Sequence, residues 1–286
     1  MSGMKTTRRD FLASSALAAA AFATGACRAP SAAAKRPQLA VQLYSIYKIF
    51  WKKPEECLAK FKAGGYEGVE FAGYGGRTAR QIRDLLAGFG LKAAGTHVNG
   101  DVELVGDELK RTLDFCAEAG IESVTTPHAK RDSAEGYAEF GRKMGLAAEA
   151  AAPYGIKVGI HTTYHHFTSV YDGVTAWDLI YRDASPLLQQ QVDTANTFHT
   201  GTDVVALLKK YRNRHHSIHL KENVPTVSGV FGEPPTDGGP VVPWDDVLAY
   251  MATEKGCSWY IVESEGKPAD LEPSLANARF LLERMM

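Results

Sequence analysis

Two hydrophobic patterns take turns along most of this chain. Short apolar runs at 39–44, 68–71, 91–97, 123–127, 157–161, 188–193, 217–221 and 259–263 read as eight β-strands. Between them lie amphipathic segments such as "KPEECLAKFKAGG", "GDELKRTLDFCAEAG" and "DVVALLKKYRNR", which read as helices. Several end in the glycine that closes a helix in the left-handed conformation. Strict strand–helix alternation predicts a parallel sheet, and eight repeats in about 250 residues predict a single (β/α)8 TIM barrel. A doubly wound open sheet is the competing arrangement, but no GxGxxG follows the first strand. Two connections are long, 162–175 and 222–243, and long loops after strands usually cover a site.

The first 36 residues stand outside this alternation. Lys5, Arg8 and Arg9 precede an alanine-rich apolar run over 11–22, and "TTRRDFLASSA" resembles a twin-arginine export signal. A run of about a dozen apolar residues is too short for a bilayer, which needs about 20. Residues 1–36 are therefore expected to be a signal peptide and linker, leaving a domain at 37–286. Cleavage is expected at the small residues 32–34, with lipidation of Cys27 in "ATGAC" as the alternative and the one route to a membrane. The expected location is the periplasm or cell envelope, reached through the export machinery.

Removing the six basic and one acidic residues of 1–36 leaves 26 basic against 32 acidic residues, a net charge of −6. That balance disfavours nucleic acid as a partner. A homo-oligomer is a separate expectation, not drawn from the charge. Cys57, Cys116 and Cys257 are widely separated, form no CxxC pair and fall in apolar patterns, so they are expected in the core without a disulfide.

The chemistry gathers at the strand ends. In (β/α)8 barrels the active site lies at the C-terminal ends of the strands. Those ends read Tyr44, Glu70, His97, His128, His161, Asp193, His219 and Glu263, each polar or titratable. Seven of nine histidines (97, 128, 161, 165, 166, 199 and 219) fall there or in the loops that follow. Period-two alternation pairs Gly68 with Glu70, Gly95 with His97, Gly159 with His161 and Ser217 with His219, and the small partners are expected to leave room for a pocket. Taken singly, Asp193 as a helix cap, His219 as a core histidine and Glu263 as an ion-pair partner of Lys221 are ordinary roles. Taken together, nitrogen and oxygen donors from four consecutive strands suit a divalent ion: Mn2+, Co2+, Zn2+, Fe2+ or Mg2+.

Over essentially the whole expected domain the chain resembles the sugar phosphate isomerase/epimerase group of xylose isomerase-like TIM barrels. "VQLYSIY", "GGYEGVEFAGYGG", "LKAAGTHV", "GIKVGIH", "QVDTAN", "IHLKEN", "VPWDDVL" and "WYIVESEG" look like its successive strand-end motifs, in order. The resemblance implies a divalent metal held by His161, Asp193, His219 and Glu263. Many members of the group carry Glu at the first of these places, and others a His-x-His pattern followed by an acidic residue. Here Thr163 replaces the second histidine and His166 stands about where the acidic residue would be. Of the two facing glutamates that exchange a proton in epimerases of the group, only Glu263 is present.

The resemblance and the strand ends together imply an isomerase, epimerase or lyase acting on a sugar or keto-sugar through an enediolate-type intermediate. Glu263 or Glu70 is expected to abstract the proton alpha to the carbonyl, with His97 or His166 returning it. Tyr44, His128, His166 and Lys221 are expected to contact substrate, Lys221 by stabilising developing negative charge. Phe71, Trp51 and Trp244 join Tyr44 as candidate stacking faces. Glu265 falls outside the motif and is expected to matter little. A sugar-binding protein without turnover and a metal-dependent hydrolase are the alternatives on the same fold.

Overall fold

The computed structural model describes residues 36–127, 129–222, 229–233, 239–265 and 267–285. The expected export segment, apart from Arg36, and His128 lie outside the described residues. The strands are Gln38–Gln42 (β1), Gly68–Phe71 (β2), Lys92–His97 (β3), Ser123–Thr126 (β4), Lys157–His161 (β5), Gln189–Asp193 (β6), Ser217–Leu220 (β7) and Trp259–Val262 (β8). Each pairs in parallel with the next, and β8 returns to β1, so the barrel closes. The helices that follow them are Pro54–Ala63 (α1), Ala79–Ala87 (α2), Gly106–Ala119 (α3), Ala134–Ala151 (α4), Ala176–Arg182 (α5), Val204–Lys210 (α6), Trp244–Met251 (α7) and Glu272–Met285 (α8).

Local chemistry sets these boundaries. Thr78 and Gln81 form a reciprocal capping box at the start of α2, and Ser133, Thr175 and Asp203 accept backbone N–H groups at the starts of α4, α5 and α6. Gly120 closes α3 at φ 75°, a conformation open to glycine at little cost. Strand β1 stops two residues earlier than the apolar run suggests. Gln42 Oε1 accepts the Tyr44 N–H at 3.1 Å and turns the chain into a 3-10 helix at Leu43–Ile46. The connection after β5 also holds a two-residue antiparallel hairpin, Val170–Tyr171 with Val174–Thr175, about an Asp172-Gly173 turn in which both residues have positive φ.

Outward residues of the strands, among them Leu39, Val41, Val69 and Phe71, pack with the helices in one large apolar cluster. Inward residues Ala40, Ala94, Trp259 and Ile261 form a separate cluster that fills the barrel floor. The space beside two of the small inward residues is taken up by neighbouring side chains. A Cβ on Gly68 would meet the Trp259 ring at 2.8 Å, and one on Gly95 would meet Ser123 Oγ at 2.5 Å and Glu70 Oε1 at 2.8 Å. Their missing side chains make room for a buried indole and a buried carboxylate. Outside the barrel α4 and α5 approach so closely that a Cβ on Gly141 would lie 1.8 Å from the Ile180 carbonyl oxygen. Cys57, Cys116 and Cys257 are buried free thiols.

Candidate metal centre and active-site cleft

Strands β5 to β8 bring His161, Asp193, His219 and Glu263 together above the floor. One donor atom from each lies within 4.8 Å of the others, and all four residues are buried. His161 Nε2 faces His219 Nδ1 at 3.2 Å and Asp193 Oδ2 at 3.4 Å, and His219 Nδ1 is 2.9 Å from Glu263 Oε2. The ordinary role foreseen for Asp193 coexists with this one, because its two oxygens divide the work. Oδ1 caps a short helix, Thr194–Phe198, by accepting the Asn196 N–H at 2.7 Å. Oδ2 is buried, accepts no hydrogen bond among the described residues, and points at the cluster. A buried carboxylate oxygen left free beside two facing imidazole nitrogens fits a divalent cation of intermediate softness, with His161, Asp193, His219 and Glu263 as the residues that would hold it. Glu70, His97 and His219 form a second converging group. Its carboxylate fits a cation less well, because amide hydrogens already occupy both Glu70 oxygens.

The electrostatics follow from this crowding. Burial disfavours a charged His219, but Glu70 and Glu263 outweigh it and push the imidazole pKa up to about 10. Burial dominates at His161 and takes it down to about 4. Burial would raise Glu263 and Asp193, yet Lys221 and the neighbouring imidazoles hold both below the usual carboxylate range. Lys221 is itself buried, with Nζ 2.9 Å from Glu265 Oε1, 3.7 Å from Asp193 Oδ2 and 3.9 Å from Glu263 Oε1, and these carboxylates keep it charged.

A cleft of about 850 Å³ opens over the cluster, and Tyr44, His97, His161, Lys221 and Glu263 line it. Tyr44 stands at its mouth, half exposed, on the 3-10 helix rather than at a strand end. Two expected substrate-facing residues are elsewhere. Glu70 is fully buried beneath the cleft, its carboxylate surrounded by donors, so it has no access to a substrate carbon. His166 is turned inward, where its Nδ1 accepts the Thr163 N–H at 3.0 Å and its ring packs on Trp177 with centroids 5.0 Å apart. His165 lines the cleft in its place. Phe71 and Trp244 are core residues, and Trp51 stacks on Phe71 away from the cleft.

Some cleft residues escaped the sequence reading. Glu265 lines the wall as the nearest partner of Lys221. Arg131 Nη2 donates to both carboxylate oxygens of Asp101 across the rim, at 2.7 and 2.9 Å. Gln42 and Gln191 lie under the cleft and donate to Glu70 at 2.6 and 2.7 Å. Parity was the available signal for Gln191, which precedes Asp193 by two residues in β6 and shares its face, whereas Glu265 lies beyond the end of β8.

Similarity to known proteins agrees with this picture. The chain is 23% identical to the rhizopine catabolism protein MocC of Rhizobium meliloti, the alignment covering 77% of each protein. It is 29% identical to inosose dehydratase 1 of Bacillus cereus over 44% of this chain and 48% of the dehydratase, so that match spans about half of either. Among solved structures, a sugar phosphate isomerase/epimerase from Parabacteroides distasonis ATCC 8503 superposes with a TM-score of 0.73 at 17% identity, covering 88% of this chain and 97% of the other. The IolI protein with a bound zinc atom gives 0.64 at 14% identity, covering 87% and 97%. At such identities these likenesses speak to the fold. Residues 58–284 match the family described as xylose isomerase-like TIM barrel, and a match over that much of its length shows that the chain belongs to this family.

Proposed function

We propose that the protein is a divalent-metal-dependent enzyme that takes a proton from the carbon alpha to the carbonyl of a sugar or keto-sugar and completes an isomerisation or epimerisation. The observation that carries this reading is the set of four buried donors from four successive strands at the floor of a polar cleft. When bound, the cation supplies Lewis-acid stabilisation of negative charge on the substrate oxygen. The residues of the chain do the rest. Glu263 and His97 are the expected proton-moving groups that reach the cleft, and they take over the parts for which Glu70 and His166 were candidates. Lys221, held charged among three carboxylates, adds fixed positive potential where the oxyanion develops. Tyr44 offers an aromatic face at the mouth for a sugar ring.

The dehydratase likeness favours one second reading, a β-elimination. There the same alpha proton leaves first, and the hydroxyl on the next carbon then departs as water after protonation by an imidazole of the cleft. Incubating metal-loaded protein in D2O with a panel of keto-sugars and inososes, followed by NMR, tests both. Solvent deuterium at one carbon alpha to the carbonyl is expected, and a new alkene or diketone signal would select elimination. Unaltered, unlabelled substrates across the panel, with metal bound, would turn the reading towards a binding protein.

A further inference from the structure

Glu70 is a buried carboxylate with no part in the chemistry proposed above, yet four donors converge on it. Gln42 Nε2 donates to Oε2 at 2.6 Å and Gln191 Nε2 donates to Oε1 at 2.7 Å. His219 Nε2 lies 2.6 Å and His97 Nε2 3.2 Å from Oε2. The amides are pinned in turn. Gln42 Oε1 accepts the Tyr44 N–H, and Gln191 Nε2 also donates to Ser217 Oγ at 3.0 Å, which leaves Gln191 Oε1 facing His97 Nε2 at 2.7 Å. A carboxylate and an amide oxygen can only accept. A neutral His97 must therefore carry its hydrogen on Nε2 and keep a bare Nδ1, whereas His219 meets a carboxylate at each nitrogen and bares Nδ1 only when a cation takes the place of the proton there.

The two rings stack, centroids 5.2 Å and planes 14° apart. Their Nδ1 atoms serve different sites. His219 Nδ1 faces His161 Nε2 and Glu263 Oε2, whereas His97 Nδ1 has no partner among the described residues, in a ring that lines the cleft. We propose that Glu70 is a positioning residue that sets the tautomer of both imidazoles with one carboxylate, reserving His219 Nδ1 for the cation and His97 Nδ1 for a substrate proton. The His219 half rests on the metal-binding reading above, and the His97 half does not need it. Gly95 makes the arrangement possible, since a Cβ there would press on Glu70 Oε1. His161 has no comparable holder: its Nδ1 is buried without a partner among the described residues.

The test combines 15N-histidine NMR of the zinc-loaded protein with zinc affinity from competition against a chromogenic chelator. Wild-type protein should show both rings as the Nε2–H tautomer. Glu70→Gln keeps the size but offers one acceptor oxygen where four donors meet. It should retain its circular dichroism, lose about 10- to 100-fold in zinc affinity, and show His97 as a mixture of tautomers. Wild-type affinity together with wild-type tautomers in Glu70→Gln would overturn the proposal. If that variant does not fold, the wild-type spectrum decides alone, because a hydrogen on Nδ1 of either ring contradicts it. A wild-type protein that takes up no zinc removes the metal reading and the His219 half with it, and the His97 tautomer then decides the remaining half.

Discussion

At the scale of single residues, the site divides into groups that touch substrate and groups that hold those groups still. Glu263 belongs to the first. Glu263→Gln, nearly isosteric, should fold normally, bind metal more weakly, and at matched metal occupancy lose about 10²- to 10⁴-fold in turnover, as general acid–base loss does. Near-normal deuterium exchange in this variant would move the proton-transfer role to His97. Glu265→Gln separates from it differently. Lys221 loses its nearest partner while Asp193 and Glu263 stay, so KM should rise more than kcat falls. Steady-state kinetics on both variants check the contrast. The titratable strand ends were legible because charged residues are rare in barrel interiors and stand out by type. Gln42 and Gln191 were not, because an amide in a strand gives no such signal and its meaning here comes only from the carboxylate it meets across the barrel. Glu70 and His166 misled for a related reason: residue type and chain position named them, but depth decided what each could reach.

At the scale of elements, the eightfold alternation was readable because period and turn chemistry agree at several boundaries, among them the capping box of α2 and the glycine that ends α3. Failures fall where a side chain overrides the apolar pattern. Gln42 ends β1 early by bonding its own chain, and the hairpin at 170–175 breaks into the long loop through an Asp-Gly pair that was there to be read. Contacts between helices are the least legible, since they depend on what is missing from a surface. Gly141 illustrates this. In an isolated helix Gly→Ala is favourable by about 1 kcal/mol, but here the added methyl would run into the backbone of α5. Overpacking of this kind typically costs about 1–3 kcal/mol, and no side-chain rotation relieves a clash with a carbonyl. Gly141→Ala should therefore lower Tm by several degrees in calorimetry. An unchanged Tm would mean that α4 and α5 slide apart freely.

At the scale of the whole molecule, a site assembled from four strands ties ligand to fold. A cation that binds only the native donors stabilises by about 2.7 kcal/mol when present at a hundred times its Kd, so chelation should lower Tm and restored metal should recover it. Identical melting with and without chelator would show that the four donors hold nothing tightly. No helix among the described residues is long and apolar enough to cross a membrane. For the segment at 1–36 we propose removal on export, and N-terminal sequencing of envelope material should find a start between residues 27 and 38. An intact Met1 on active cytoplasmic protein would defeat it. The Trp259 indole, seated over Gly68 and donating to Glu122 at 2.8 Å, has a consequence for traffic rather than for stability. Among the described residues it stoppers the barrel floor, so a molecule bound in the cleft above finds its way out at the Tyr44 rim. Whatever leaves must pass the way the next molecule comes in, and product should accordingly compete with substrate for the empty enzyme, raising apparent KM while leaving the maximal rate untouched.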